Sequence, residues 1–179
     1  LFIVSVFLLI GPAAALSETL VNDTFGQVDN STTTRTVTSS LTGSLTNVVI
    51  TIDFHKISGS NCASPGGGSS FSSEISFGLT SPAGTTANLV QDFSSGNTTY
   101  TANGNAPRVQ VTFDDSAAAL VGSTNGGLPE SGTFRPVQPL STFNGENPQG
   151  IWTLTLGDNF ILDHLCFYSF TLQLTDDVI

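Results

Sequence analysis

The 179-residue sequence predicts an all-β fold. In several segments apolar and polar residues alternate with period two, which is typical of half-buried strands, and no long segment shows the 3.6-residue period of a helix. Ser, Thr, Gly and Asn dominate the polar residues, whereas Lys and Glu, which are typical of exposed helices, are scarce. Both observations favour strands joined by turns and loops.

Length and charge limit the classes of function. A chain of 179 residues is long enough for one domain with a sizeable core. Its formal net charge is −10, and its four basic residues stand singly, whereas a nucleic-acid-binding surface needs clustered Lys and Arg. We therefore expect no nucleic-acid partner. The excess of carboxylates favours solubility and offers ligands for a hard cation.

The N-terminal segment predicts secretion. Residues 1–10 form an apolar run, Gly11-Pro12 interrupts it, and Ala13-Ala14-Ala15 supplies the small residues of a cleavage site. Residues 1–15 are therefore predicted to be a signal peptide whose true start lies upstream. The run is too short to span a membrane, so no span is expected in the mature chain. The alternative is a retained apolar strand or helix.

Two further features fit an extracellular chain. Cys62 and Cys166 predict a disulfide in an oxidising compartment, and two buried free thiols are the alternative. Asn22, Asn30 and Asn97 each begin an Asn-x-Ser/Thr sequon, which predicts glycans on exposed loops. Chance is the alternative explanation for the sequons, because the chain is rich in Ser and Thr.

Strand patterns recur along the chain. Residues 16–44 are expected to be a Ser/Thr-rich N-terminal segment with an outer strand over residues 32–38. The clearest strand patterns then lie at residues 47–54, 74–80, 87–90, 109–113, 151–156 and 168–174. Ser81-Pro82-Ala83-Gly84 has the composition of a type I turn, which predicts a hairpin between the strands on either side of it. The Gly/Ser/Pro-rich residues 56–73 are predicted to form a flexible loop.

The last two strand patterns are of similar length and can pair. Trp152 is in phase with Leu154 and Leu156, so it is interpreted as the core anchor of this closing pair rather than as a carbohydrate platform. Tyr168 alternates in phase with Phe170 and is assigned to the core for the same reason.

The sequence resembles the P domain (Homo B domain), the β-rich module that follows the catalytic domain in kexin- and furin-like subtilases. The matches run in the family's order over about residues 45–174. They comprise Ser81-Pro82-Ala83-Gly84-Thr85, Asp114-Asp115-Ser116-Ala117, Gly132-Thr133-Phe134-Arg135-Pro136, Pro139-Leu140-Ser141-Thr142-Phe143 and Gln149-Gly150-Ile151-Trp152-Thr153-Leu154. The chain departs from the family in the loop at residues 56–73 and at Tyr168, where tryptophan is usual.

This resemblance implies a jelly-roll β-sandwich of about eight or nine antiparallel strands, with the P-domain-like part at residues 45–176. It also implies an accessory module that packs against a subtilisin-like domain and stabilises it. Neither His55 nor His164 lies in a nucleophile motif, and no Gly-x-Ser-x-Gly elbow occurs. The chain is therefore expected to be non-catalytic, with any association with serine endopeptidases coming from the family alone.

Structural calcium is the metal that the sequence favours. Ca²⁺ takes carboxylate and carbonyl oxygens, and loops of extracellular jelly rolls often hold it. Asp114 and Asp115 end one strand, and Asp158 and Asp163 flank the connection between the last two strands, so these four are the predicted ligands. The alternative is that they are solvated or turn-forming carboxylates that need no metal.

Two functional hypotheses remain, beside a third interpretation in which the chain is one end of a larger protein. The first is a free-standing secreted P-domain protein that binds a protein partner, such as a secreted protease. The second is a secreted adhesive, glycan-binding or surface-assembly module. Either function is expected on the loops, especially residues 56–73 and the Asp-bearing strand ends.

Overall fold

The computed structural model describes residues 15–59, 61–64, 66 and 68–177. In this part of the chain, ten β-strands are accompanied by four short 3₁₀ turns. The strands are β1 Leu16–Asn22, β2 Gly26–Val28, β3 Ser31–Ser39, β4 Ser44–Ser58, β5 Ile75–Thr80, β6 Thr86–Val90, β7 Val109–Phe113, β8 Gly132–Phe134, β9 Gly150–Asp158 and β10 Asp163–Asp177. The 3₁₀ turns are Ser72–Glu74, Phe93–Ser95, Asn125–Gly127 and Leu140–Phe143.

The strands form two sheets that pack as a β-sandwich. The larger sheet has the order β1-β10-β4-β7-β8, with β2 also paired to β10, and the smaller sheet has the order β3-β9-β5-β6. The all-β sandwich prediction is therefore confirmed. The strand count is higher than predicted because the N-terminal segment contributes three strands instead of one. One pair, β7 with β8, is parallel rather than antiparallel.

The core lies between the two sheets, and the period-two patterns point into it. Trp152, Leu154 and Leu156 of β9 are all fully buried. The Trp152 ring meets Phe143 edge-on at 5.2 Å between ring centroids, and its Nε1–H donates to the Pro148 carbonyl at 3.0 Å. The polar atom of the largest core side chain thus has a partner, as burial requires.

The expected pairing of the last two strands is wrong. β9 lies in the smaller sheet, and β10 lies in the larger sheet between β1 and β4. Residues 159–162 therefore cross from one sheet to the other instead of closing a hairpin. The alternation of β9 and β10 correctly identified their buried faces, but a period of two does not specify which strand is the neighbour.

The assignment of Tyr168 to the core is also wrong. The register of β10 against β4 shifts between Phe167 and Ser169, which marks a β-bulge at Tyr168. The bulge gives the core position to Phe167 and leaves Tyr168 half-buried. The Tyr168 ring packs instead against Phe25, and the guanidinium of Arg108 lies 3.6 Å from its centroid.

The loop after β4 begins later than predicted. Lys56, Ile57 and Ser58 still belong to β4, and Lys56 is only 1% exposed. The sequence pattern predicts that Lys56 begins a flexible loop. In the structure its side chain continues the inward face of Ile52 and Phe54.

Cys62 and Cys166 form the predicted disulfide, with 5.8 Å between their Cα atoms. The bond ties the loop that follows β4 to the first part of β10. Nearby, Gln27 of β2 accepts a hydrogen bond from the Cys62 backbone N–H at 3.2 Å. The loop therefore has a covalent anchor on the larger sheet.

The N-terminal segment is built into both sheets. β1 and β2 pair with β10, and β3 pairs with β9 as the outer strand predicted near residues 32–38. The predicted signal peptide, residues 1–15, lies outside the described residues except for Ala15. Across the described ranges, no helix is long and apolar enough to cross a membrane.

We expect the disulfide to stabilise the fold by constraining the unfolded chain. Its cysteines are 104 residues apart, and closing so long a loop stabilises by about 2–5 kcal/mol. The double variant Cys62→Ser, Cys166→Ser should lose that much free energy of unfolding in urea titrations. A reductant should lower the unfolding midpoint of the native chain but leave the double variant unchanged. Equal midpoints for the two oxidised proteins would contradict the prediction.

Candidate functional site

Functional groups gather at one end of the sandwich, which we call the loop end. At this end β4 stops at Ser58 opposite the start of β10 at Asp163, and β5 starts at Ile75 opposite the end of β9 at Asp158. The two sheets therefore bring four connections together here: residues 29–30, residues 59–74, residues 91–108 and residues 159–162. Two of them carry the sequence features that were expected to hold function.

A buried lysine lies beneath these connections, surrounded by three carboxyl groups. Lys56 Nζ is 2.6 Å from Asp158 Oδ2, 3.1 Å from Glu74 Oε2 and 3.3 Å from Asp163 Oδ2. Nζ also donates to the backbone carbonyl of Asp163 at 2.6 Å. We call Lys56, Glu74, Asp158 and Asp163 the lysine cluster.

The lysine cluster is a low-dielectric environment for its own carboxyl groups. The Lys56 and Asp158 side chains are fully buried, and those of Glu74 and Asp163 are nearly so. Burial raises the pKa of Glu74 to about 7, against the attraction of Lys56, and the neighbouring Asp163 adds to the rise. Burial likewise raises the pKa of Asp158 to about 6. One amine thus faces three carboxyls, two of which hold protons more tightly than usual.

Backbone N–H groups fix the carboxyls in place. Asp158 Oδ2 accepts from the Leu165 N–H at 3.1 Å, and Asp158 Oδ1 accepts from the Phe160 N–H at 3.4 Å. Asp163 Oδ2 accepts from the Phe71 N–H at 2.5 Å. The cluster therefore holds the 159–162 connection and the 59–74 connection against the end of β4.

An apolar pocket of about 400 Å³ opens above the cluster. Glu74 and Asp163 line its base. Its mouth is formed by five large apolar side chains that are 44–75% exposed, namely Phe71, Phe93, Phe160, Ile161 and Leu162. These are half of the ten exposed large hydrophobic residues in the described part of the chain. We call them the apolar mouth.

Leu162 is the most exposed member of the apolar mouth, at 75%, and its backbone φ is +88°. Positive φ is unfavourable for a leucine because its Cβ approaches the backbone, and glycine or asparagine is usual there. A strained residue that exposes a large apolar side chain is a reason to look for function at that position.

A larger groove of about 580 Å³ lies on the outer face of the larger sheet. Its charged groups are Asp53 and Arg108, which form a two-pronged ion pair with N–O distances of 2.6 and 2.8 Å. Arg108 holds the pKa of Asp53 below its usual range. Because these charges satisfy each other, the apolar pocket is the better candidate for a binding site.

The four predicted calcium ligands do not converge. Asp114 and Asp115 follow β7 at the end of the sandwich opposite the loop end, since Phe113 pairs with Ile50 of β4, far before Lys56. Asp115 accepts the backbone N–H groups of Leu140 and Ser141, both at 2.8 Å. Asp158 and Asp163 already have the Lys56 amine as their cation.

A calcium site made of all four residues is therefore not supported by this arrangement. Within the described ranges, no group of three or more His, Cys, Asp or Glu is arranged to hold a metal. Calcium binding in solution stays a prediction.

The two histidines and the three sequon asparagines lie outside the lysine cluster. His55 Nε2 is 3.0 Å from the Ala106 carbonyl, and His164 Nδ1 is 3.0 Å from the Gly59 carbonyl. Asn30 and Asn97 are exposed, as glycan acceptors must be. The third sequon residue, Asn22, is half-buried and donates its side-chain amide to the Thr36 carbonyl at 2.9 Å. Glycosylation stays a prediction at all three.

Sequence reasoning missed Lys56 and the role of Glu74. A signal for Lys56 exists, because the only lysine of the chain follows Val48, Ile50, Ile52 and Phe54 with the same period of two. A lysine in that phase points to the core and needs buried carboxylates as partners. Glu74 carries no comparable signal, since it ends a Ser-rich loop.

We expect Glu74 to make stability depend on pH. Its pKa rises from an ordinary value of 4.5 to about 7 on folding, so the folded chain binds this proton more tightly. The resulting contribution to stability is complete below pH 4.5 and is lost as pH rises through about 7. Urea unfolding across this window should show it as a difference in slope between the native chain and the Glu74→Gln variant.

The comparison with Glu74→Gln also controls for His55. Burial lowers the pKa of His55, so its contribution to stability increases as pH rises, in the opposite direction to that of Glu74. Both proteins keep His55, so its effect cancels when they are compared at each pH. Parallel pH dependences would show that Glu74 titrates normally.

Comparison with known proteins gives little further guidance. No protein-family model matches the chain, and no curated protein matches it. Among solved structures, it is similar to the crystal structure of a serine protease of Aeromonas sobria at 14% identity, with a TM-score of 0.44. The match covers 91% of this chain and 27% of that chain, so this chain spans about a quarter of that protein's length. A likeness at this level does not assign a family.

Proposed function

We propose that this chain is a secreted, non-catalytic module, similar to the P domain of subtilases, that binds a protein partner through the apolar pocket at its loop end. The observation that carries the proposal is the apolar mouth: half of the exposed large hydrophobic residues in the described ranges surround this one pocket. Contiguous apolar surface of this kind is typical of interaction sites, because water contact with it is unfavourable.

The arrangement of the apolar mouth resembles the centre of a protein interface. The rings of Phe93 and Phe160 contact each other edge-on, with centroids 6.3 Å apart, so the aromatic side chains are held in position. Aromatic anchors around a pocket commonly carry most of the binding energy in such interfaces. A partner side chain that enters the pocket would pass the apolar mouth and meet Glu74 and Asp163 at the base. This favours a side chain with an apolar stem and a hydrogen-bond donor at its tip.

The stiffness of the loop end supports the same proposal. The disulfide anchors one connection, and the lysine cluster anchors two. A pocket whose walls are fixed before binding loses less conformational entropy when the partner arrives. Leu162 fits this reasoning, because its strained backbone keeps an apolar side chain in solvent where a partner can cover it.

The P-domain part of the proposal rests on the sequence. The matched segments cover about residues 45–174, and several lie at structurally distinct positions: the Ser81–Gly84 turn joins β5 to β6, and Trp152 is buried in the core. Secretion is proposed from the signal-like segment, the disulfide and the exposed sequons at Asn30 and Asn97. A non-catalytic role is proposed because neither histidine lies in a nucleophile motif.

The alternative, a glycan-binding module, has less support. Sugar platforms use exposed aromatic faces with polar groups beside them, but Trp152 and Tyr100 are buried in the core. The aromatic rings of the apolar mouth surround a pocket instead of forming a flat platform. We therefore rank the protein partner first.

The test compares two exposed apolar residues at opposite ends of the sandwich. Leu162→Asn should leave the free energy of unfolding unchanged or raise it by up to about 1 kcal/mol, because asparagine tolerates positive φ. The same variant should capture less of a secreted subtilisin-like protease in pull-down assays, since it removes the most exposed apolar contact of the mouth. Ile151→Gln, at a residue that is 59% exposed at the far end of β9, is the matched control and should capture as the native chain does.

Equal capture by all three proteins would show that the pocket is not the docking site. Binding to a glycan array that persists in Leu162→Asn, without protease capture by any of the three, would favour the alternative function.

A further inference from the structure

Lys56 and Asp158 meet across the sandwich. Lys56 extends from β4 of the larger sheet and Asp158 from the last residue of β9 in the smaller sheet, and both side chains are fully buried. Lys56 Nζ lies 2.6 Å from Asp158 Oδ2, and the carboxyl of Glu74 lies 3.1 Å from the same nitrogen. The fully buried amine of Lys56 and carboxyl of Asp158 are therefore in contact, and a second carboxyl, which can carry protons, lies beside them at the base of the pocket.

We propose that Lys56 and Asp158 become joined by an amide bond between Nζ and Cγ, a covalent cross-link between the two sheets, and that Glu74 transfers the protons.

The reaction is a condensation and involves no oxidation or reduction. The ammonium of Lys56 gives a proton to Glu74, and the neutral nitrogen then attacks Cγ of Asp158, so that the C–N bond forms. Glu74 passes the proton to one carboxyl oxygen of Asp158, and the nitrogen gives up a second proton by the same route. The C–O bond breaks, that oxygen leaves as water, and the amide remains.

Burial supplies the protonation states that this chemistry requires. In water an amine is charged and a carboxyl is ionised, and neither reacts. In the lysine cluster, burial at low dielectric favours the neutral form of the Asp158 carboxyl, and the carboxyl of Glu74 lies close enough to take a proton from the Lys56 amine. Consistent with this, burial raises the pKa of Glu74 to about 7 and that of Asp158 to about 6. Glu74 can therefore accept and return a proton near neutral pH.

The backbone prepares Asp158 as the electrophile. The N–H groups of Phe160 and Leu165 donate to its two oxygens, at 3.4 and 3.1 Å respectively. These donors hold the carboxyl in place and stabilise the negative charge that develops on oxygen when nitrogen attacks the carbon. Contact in a fixed geometry replaces a bimolecular encounter and accelerates the step accordingly.

Asp158 is the favoured partner among the three carboxyls. It is the nearest to Nζ, it is fully buried, and it has a backbone donor on each oxygen. Asp163 Oδ2 is farther from Nζ, at 3.3 Å. Asp163 also lies on β10, in the same sheet as Lys56, so a bond to it would not join the two sheets.

The test is the intact mass of the purified chain after reduction and denaturation. We expect a mass lower than the sequence mass by one water molecule, and a proteolytic digest that contains the Lys56 peptide and the Asp158 peptide as one branched species. The full sequence mass, with the two peptides recovered separately, would overturn the proposal. A water-deficient chain whose branch ends at Asp163 or Glu74 would overturn the assignment to Asp158.

Variants distinguish the role of Lys56 in forming the amide from the role of Glu74 in transferring protons. Lys56→Arg keeps the positive charge but cannot form this amide, so it should show the full mass. Glu74→Gln keeps the shape of the side chain but cannot relay protons, so it should also show the full mass while its circular dichroism remains that of the native chain. Asp53→Asn, at an ion pair outside the cluster, should retain the deficit. If Glu74→Gln retains the deficit, Glu74 does not transfer the protons. If either cluster variant fails to fold, the mass and the branched peptide of the native chain still decide.

Discussion

A lysine amine in the interior of a sandwich is the constraint on which the loop end depends. Lys56 cannot be solvated where it lies, so carboxyl groups must be delivered to it from both sheets and from the loop between them. This requirement explains why Asp158 ends β9, why Asp163 begins β10 and why Glu74 is carried inward by a short 3₁₀ turn. Backbone N–H groups of the connections above the cluster donate to the same carboxyls, and side chains of these connections line the apolar pocket.

The sequence predicted which face of each strand is buried better than it predicted which strands pair with each other. The alternation in residues 47–54 and 151–156 correctly assigned the buried side chains, because the period of a strand depends on local geometry alone. The separation of β9 and β10 into different sheets depends on contacts between residues distant in the chain, and no local pattern encodes it. The bulge at Tyr168 shifts the phase within one strand, so an alternation read from the C-terminal side of β10 assigns that residue to the wrong face.

The candidate site was predictable only in part. Its location followed from the loop at residues 56–73 and from the Asp residues beside β9 and β10. Its chemistry did not, because carboxylates at strand ends predict a metal as readily as an amine, and only the inward phase of Lys56 distinguishes the two. The apolar mouth was not predictable from the sequence either, since Phe71, Phe93 and the residues around Leu162 come from three separate connections.

The pairing of the first and last strands has a consequence for how the molecule can be handled. Leu16 of β1 lies opposite Asp176 of β10, at the end of β10 away from Asp163. The two ends of the described chain therefore lie side by side, at the end of the sandwich opposite the loop end. A surface attached at Leu16 or at Asp176 would therefore leave the loop end facing outward, and attachment at either residue should display the same face to a partner in solution.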